Sequence, residues 1–151
     1  MIVYRLSKSI YANDLSGKGA ELVGGRWNSK GVPVVYTSGS RALATTEIAV
    51  HTSLANIPID YCIVSIDIPD SSIMTPEIKD LPVDWSDVPA KSASQKYGDK
   101  FVNDNMYLVL KVPSAVVQGD FNYIINPRHK DILFVEIEDI SSFTFDKRLF
   151  K

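Results

Sequence analysis

Short apolar or alternating runs, bounded by glycine, proline and small polar residues, recur along the chain and predict strands. They are IVYRL near the start, VPVVY over 32–36, YCIVSIDIP over 61–69, MYLVLKVPS over 106–114 and FNYIINPRH over 121–129. DILFVEIEDISSFTFD then supplies one or two closing strands. In YCIVSIDIP, Ile63, Ser65 and Asp67 alternate with Val64, Ile66 and Ile68, the two-residue period of a pleated strand. Two stretches read as helices. RALATTEIAVHTSLA, over 41–55, follows TSGS, in which Ser40 suits an N-cap. SASQKYGDKFVNDN predicts a second helix, from near Ser92 to Asn103 or Asn105. Residues 7–25 predict a loop with room for a short helical turn. Residues 69–89, with prolines at 69, 76, 82 and 89, predict an irregular connection. EIKDLP is its brief helical candidate and Trp85 its aromatic anchor.

Three residues are costly where this pattern places them. Arg26 follows Gly24 and Gly25 in a turn, Tyr36 ends the VPVVY strand, and Glu47 lies inside the first helix. Leu43, Glu47, Val50 and Leu54 share the i, i+4, i+7, i+11 spacing of one helix face, so the carboxylate points where aliphatic side chains point. A carboxylate there needs a partner or a purpose. These residues alone leave both readings open: a buried ion pair with an arginine, or a catalytic carboxylate at the edge of a cleft. His51, four residues on, reads as a helix-end histidine pairing with Glu47.

The chain has 151 residues, 45% hydrophobic and 23% charged, which suits a single domain over 1–151 with a core of its own. A net charge of −2 argues against direct nucleic-acid binding, which calls for a basic surface. No apolar run reaches the length of a membrane span, and MIVYRLSKSI has no basic segment leading into an apolar one. A lone cysteine, Cys62, excludes an internal disulfide and fits a reducing cytoplasm; in its strand it reads as a packed side chain. His51, His129 and Cys62 make no metal-binding spacing. Neither G-x-G-x-x-G nor a P-loop nor G-x-S-x-G occurs. Ser38 reads as a loop serine making a turn hydrogen bond, Asn122 and Asn126 as structural asparagines, and Arg128 and His129 as surface residues.

GGRWNSKGVPVVYTS, the following helix with its glutamate, and VPSAVVQGDFNYIINPRH resemble the RES-domain family. These are bacterial toxins of RES–Xre toxin–antitoxin pairs. The arginine, glutamate and serine of the family name match Arg26, Glu47 and Ser114. The resemblance runs from VYR to the segment after NPRH. A tryptophan frequent in the family after GD is replaced here by Phe101, with Lys100 intervening. The resemblance implies an α+β fold similar to ADP-ribosyltransferase toxins, with a mainly antiparallel split sheet and few helices. It implies consumption of NAD as a substrate, with no bound cofactor, and phosphate or water as acceptor; transfer of ADP-ribose to a protein is the alternative. It implies an Xre-like antitoxin as partner. It places Ser114 in the NAD pocket and adds Arg5, in the recurrent VYR position, and Asn122 as NAD-binding residues. The non-enzyme alternative is a binding module in which Glu47 is a structural ion.

The chemistry explains why these residue types belong together. Breaking the nicotinamide–ribose bond builds positive charge on the sugar, as in glycoside hydrolysis. The leaving group is a neutral pyridine and needs no proton. A carboxylate near the ribose stabilises that charge, an arginine fork matches a diphosphate, and a tyrosine ring can orient nicotinamide by stacking. Glu47, Arg26 and Tyr36 are that set.

Overall fold

The computed structural model describes residues 1–150. Seven strands form one sheet: β1 (Ile2–Lys8), β2 (Val35–Ser38), β3 (Tyr61–Asp67), β4 (Ile73–Met74), β5 (Val109–Pro113), β6 (Phe121–Ile125) and β7 (Glu136–Phe143). Their spatial order is β4-β5-β6-β2-β1-β3-β7. Every pairing is antiparallel except β4 with β5. The sheet is split in the middle. β1 registers with β3 along its whole length, from Ile2↔Asp67 to Lys8↔Tyr61, but meets β2 only at Tyr4↔Ser38. The α+β class and the mainly antiparallel split sheet that the resemblance implies are thus observed. None of the described helices is long and apolar enough to cross a membrane.

Strand alternation sorts the side chains onto two faces. One face carries Val3, Val35, Val64, Ile66, Val109, Tyr123 and Ile125, which form a continuous core with Ala12, Leu108 and residues from 132–137. A short helix α1 (Lys18–Val23) forms in the 7–25 loop, and the other face of the sheet is covered by the helices α2 (Arg41–Ala49) and α3 (Ser92–Asp104) in two separate patches. α3 lays Phe101 and Val102 on Leu110, Val112 and Ile124 of the β5–β6 half. α2 lays Ala44 and Ile48 on Leu6 and Ile63 of the β1–β3 half, together with Phe145 and Phe150. Burying a side chain of this kind contributes about 1.5–3 kcal/mol, so each half of the sheet is held by its own helix. The strip between the patches, along β2, is where polar side chains meet the sheet.

α3 runs as expected and ends at Asn105, whose left-handed φ of 52° stops it. α2 is shorter than its pattern predicts. Ser40 caps it, accepting the Leu43 N–H at 3.0 Å, but it ends at Ala49 rather than running to Ala55. Val50 and Leu54, expected on its buried stripe, are each 53% exposed. Threonines at 45 and 46 turn their hydroxyls back onto the carbonyls of Arg41 and Ala42, at 2.9 and 2.8 Å. Such back-bonding makes poor helix interiors, and no core surface lies beyond Ala49 to compensate. Three smaller differences concern the connections. The 69–89 segment contains the short strand β4, parallel to β5. A helical turn, Lys130–Phe134, precedes the one closing strand. His129 is buried, its Nδ1 accepting the Asp131 N–H at 3.1 Å, and is not a surface residue.

Candidate functional site

Glu47 sits on the flank of α2 facing β6, half-buried. Its Oε1 accepts two hydrogen bonds, from the Ser114 hydroxyl at 2.8 Å and from Asn122 Nδ2 at 2.6 Å. Ser114 follows β5 directly, and its Oγ also accepts the backbone N–H groups of Val116 and Val117, both at 3.0 Å. Those two acceptances leave the hydroxyl proton for the glutamate. Asn122 is equally constrained: its Oδ1 accepts the Ser38 hydroxyl at 2.8 Å, and the pair Ser38↔Asn122 is in register across β2 and β6. One carboxylate oxygen is therefore fixed by two neutral donors, while among the described residues Oε2 has no hydrogen-bond partner. This is neither the buried arginine pair nor the histidine pair that the helix pattern allowed. His51 lies beyond the end of α2, exposed. Ser38 is not a loop serine but a buried residue of β2.

Arg26 belongs to a second constellation. Gly24 adopts a left-handed φ of 76°, and Gly25 N–H donates to Asn28 O at 2.9 Å, closing a tight turn around the arginine. Three elements clamp this turn. Tyr36 Oη of β2 donates to Asn28 Oδ1 at 2.6 Å and accepts the Trp27 N–H at 3.0 Å. From α3, Gln95 Nε2 donates to Gly25 O at 3.0 Å, and Asp99 accepts the Ser29 N–H and hydroxyl at 2.8 and 2.6 Å. The contacts are close: a Cβ on Gly98 would lie 1.7 Å from Trp27 O, and one on Gly25 would lie 2.6 Å from Tyr36 Oη. Only glycine fits at either place. The arginine itself donates from Nη1 to the carbonyls of Trp85 and Asp87, at 2.7 and 2.8 Å. Trp85 anchors this connection, half-buried against the α3 patch. Nε and Nη2 of Arg26 make no hydrogen bond among the described residues. Burial pushes the Tyr36 phenol well above its ordinary pKa, so it holds its proton and serves the turn.

β2 joins the two constellations. Tyr36 and Ser38 are two residues apart, so their side chains leave the same face of the strand at a spacing of about 6.5 Å. The arginine turn abuts Tyr36 and the Glu47 cluster abuts Ser38. Five of the residues singled out in the sequence, Arg26, Tyr36, Glu47, Ser114 and Asn122, thus come to one side of the sheet. Arg5 does not join them. It pairs with Val64 in the β1–β3 register, on the opposite face from Tyr4 and Ser38. There its Nη1 donates to Asp14 O at 2.6 Å and its Nη2 to Tyr11 O and Ser7 Oγ at 2.9 and 3.2 Å. It pins the 9–14 loop. Asn126, fully buried, caps the other end of β6 by bonding Asn105 Oδ1 at 2.9 Å and the Arg128 N–H at 2.9 Å. Asn28 and Arg41 are polar residues of this face that the sequence pattern did not bring out, and Ser38 is one that it assigned to a loop. The two-residue step from Tyr36 would have flagged Ser38, had the strand been extended through it.

Comparison with known proteins gives the family of the chain. The RES domain family model matches residues 2–146. "Prs ADP-ribosylating toxin" of Sphingobium sp. (strain YBL2) is 34% identical over 148 residues, covering 96% of this chain and 92% of the relative. "Toxin Res" of Photorhabdus laumondii is 37% identical over 153 residues, covering 100% of this chain and 98% of the relative. Among solved structures, the M. tuberculosis MbcT–MbcA toxin–antitoxin complex contains a chain with the same fold, at a TM-score of 0.76 and 21% identity, covering 95% of this chain and 84% of that one. On the family match and the full-length relatives, the chain belongs to the RES-domain toxin family.

Proposed function

We propose that the chain is the toxin of a toxin–antitoxin pair and that it acts by consuming NAD. The observation that carries this reading is the state of Glu47: one oxygen held by Ser114 and Asn122, the other unengaged, on the sheet face that also presents Tyr36 and the arginine turn. A carboxylate oriented in advance stabilises developing positive charge without reorganising when the reaction occurs. In the proposed reaction the bond between ribose C1′ and the nicotinamide nitrogen breaks, and its electron pair leaves with nicotinamide, now neutral. The positive charge left on the ribose faces Glu47 Oε2. An acceptor oxygen then bonds C1′. With inorganic phosphate as co-substrate the product is ADP-ribose carrying a phosphate at C1′; with water it is ADP-ribose and a proton. Arg26, through Nε and Nη2, takes diphosphate oxygens, and the Tyr36 ring orients the nicotinamide. NAD is a substrate here and not a resident cofactor. Arg5 has no part in this site, because it lies on the other face of the sheet.

A second acceptor is a protein side chain, giving ADP-ribosylation. The name of the Sphingobium relative, an ADP-ribosylating toxin at 34% identity, favours keeping it. NAD labelled in the adenine moiety separates the two: label in small molecules alone marks phosphorolysis or hydrolysis, and label on a protein band marks transfer. In cells, induced expression is expected to stop growth and lower total NAD, with Glu47→Gln as the inactive control. Growth arrest at constant NAD would overturn NAD destruction. An NAD-inert protein whose fold survives Glu47→Ala would leave only the binding-module reading.

The proposed partner is an Xre-like antitoxin that covers the Glu47 face. The toxin–antitoxin complex found for the structural relative supports an antitoxin protein as the partner. Co-purification with a small helix-turn-helix protein, and activity restored on removing it, are the expected results. A partner bound to the opposite face with activity intact would refute occlusion.

A further inference from the structure

The row of side chains that crosses the split in the sheet extends beyond the Glu47 cluster. Ser65, Tyr4, Ser38 and Asn122 are successive register partners on β3, β1, β2 and β6, all on the helix-covered face. Glu47 stands over the β6 end of this row. Over the β3–β1 end stands Arg41, the first residue of α2. Its guanidinium carbon is 5.3 Å from the centroid of the Tyr4 ring, and its Nη2 donates to Ser65 Oγ at 3.4 Å. At 100° per residue, Arg41 and Glu47 are about 120° apart around α2, on either side of buried Ala44. The helix thus carries a cation and a carboxylate down its two flanks towards one polar row.

Arg41 is exposed, yet it is held in place by a ring face and a hydroxyl. No ion pair among the described residues includes it. A guanidinium laid on an aromatic ring is fixed in orientation, and with Nη2 on Ser65 the Nε and Nη1 edge stays available for a fork on anionic oxygens. The row has strand spacing of about 4.8 Å per step, so Arg41 stands on the order of 10 Å from Asn122. That is within the span of a dinucleotide whose ribose lies at Glu47. Arg26 likewise spends one terminal nitrogen, Nη1, on the carbonyls of Trp85 and Asp87, so each arginine keeps Nε and one terminal nitrogen for oxygens.

We propose that Arg41, stacked on Tyr4, is a second phosphate-binding residue of this site, taking oxygens of the dinucleotide diphosphate opposite Arg26. The inference rests on the NAD reading above and names a residue that reading does not use. It is tested in the Glu47→Gln protein, which leaves ligands unconsumed, by calorimetric titration with two probes: ADP-ribose, which carries the diphosphate, and nicotinamide riboside, which does not. Adding Arg41→Gln is expected to weaken ADP-ribose binding about tenfold or more, the loss of one charge-assisted fork, and to leave nicotinamide riboside unchanged. Arg41→Lys keeps the charge and loses the fork, so it should weaken ADP-ribose by a smaller factor. Equal ADP-ribose affinity with and without Arg41 overturns this inference alone, as does equal weakening of both probes. A Glu47→Gln protein that binds neither probe overturns the NAD reading and this one together.

Discussion

Ser114 and Glu47 are 67 residues apart in the chain, and the serine hydroxyl donates to the glutamate carboxylate at 2.8 Å. The same hydroxyl accepts two backbone N–H groups of its own turn, so it cannot rotate away without leaving three partners. The bond therefore ties the end of β5 to α2 across the sheet split, and with Asn122 it leaves Oε2 as the carboxylate oxygen without a hydrogen bond among the described residues.

The first expectation concerns that unpartnered oxygen. Glu47→Gln keeps the shape, and its amide carbonyl can accept the same two hydrogen bonds, so the melting temperature should change little. If the charge stabilises the ribose cation, single-turnover NAD cleavage should fall by about a hundredfold or more, comparable to losing one preorganised electrostatic group. A folded Glu47→Gln protein with full turnover removes the residue from the mechanism.

Ser114→Ala deletes one donor and two acceptances at once. Leaving two N–H groups of a half-buried turn unpaired should cost roughly 1–2 kcal/mol, or about 2–8 °C in melting temperature for a chain of this size. Turnover should fall less than for Glu47→Gln, because Asn122 still holds Oε1. Thermal melts and kcat on the same preparation check both parts. A stability unchanged within error would mean that the Ser114 turn is held by other contacts.

Tyr36→Phe separates the ring from the hydroxyl. The ring remains for stacking, but Trp27 N–H and Asn28 Oδ1 lose their partner, at a cost of about 1–3 kcal/mol. The pH dependence follows from the raised phenol. The unfolded phenol ionises near pH 10, whereas the folded one keeps its proton to higher pH. Its contribution is thus fully present below pH 10 and is lost as pH rises above it towards the folded value. Denaturant melts from about pH 9 to 11 should show the native protein losing stability more steeply than Tyr36→Phe. Parallel slopes would mean that the phenol titrates alike in both states.

Arg26→Lys cannot bridge two carbonyls and a diphosphate with one ammonium. NAD affinity should drop about tenfold or more, and the 85–91 connection, freed from its anchor, should become more sensitive to protease. Unchanged affinity with faster cleavage would assign Arg26 to holding the connection alone.

Arg5→Lys serves as the contrast on the opposite face. It removes bonds to Asp14 O, Tyr11 O and Ser7 Oγ, so melting temperature should fall while KM for NAD stays level. A raised KM at unchanged stability would place Arg5 back in the site.

Much of this architecture is legible in local chemistry. Apolar and alternating runs located six of the seven strands, all but β4, the Ser40 cap located the start of α2, and the limits of α3 follow from its composition, because each depends on neighbours within one turn or one pleat. Arg26, Tyr36 and Glu47 stood out for the same reason: a charge or a polar ring was set against an apolar or glycine-rich background. Partners did not follow from that. The sequence pairs Glu47 with His51, its neighbour at helical spacing; the fold pairs it with Ser114 and Asn122, which only the β5–β6–β2 register brings within reach. Period-two alternation does not say which face of β1 looks towards α2, so Arg5 and Tyr4 were indistinguishable until the Tyr4↔Ser38 pairing put the tyrosine on the site face and the arginine behind it. The length of α2 was a tertiary matter too. Its apolar pattern continues to Leu54, but the β1–β3 patch it covers stops at Ala49, and a helix with no further surface to bury has no reason to go on.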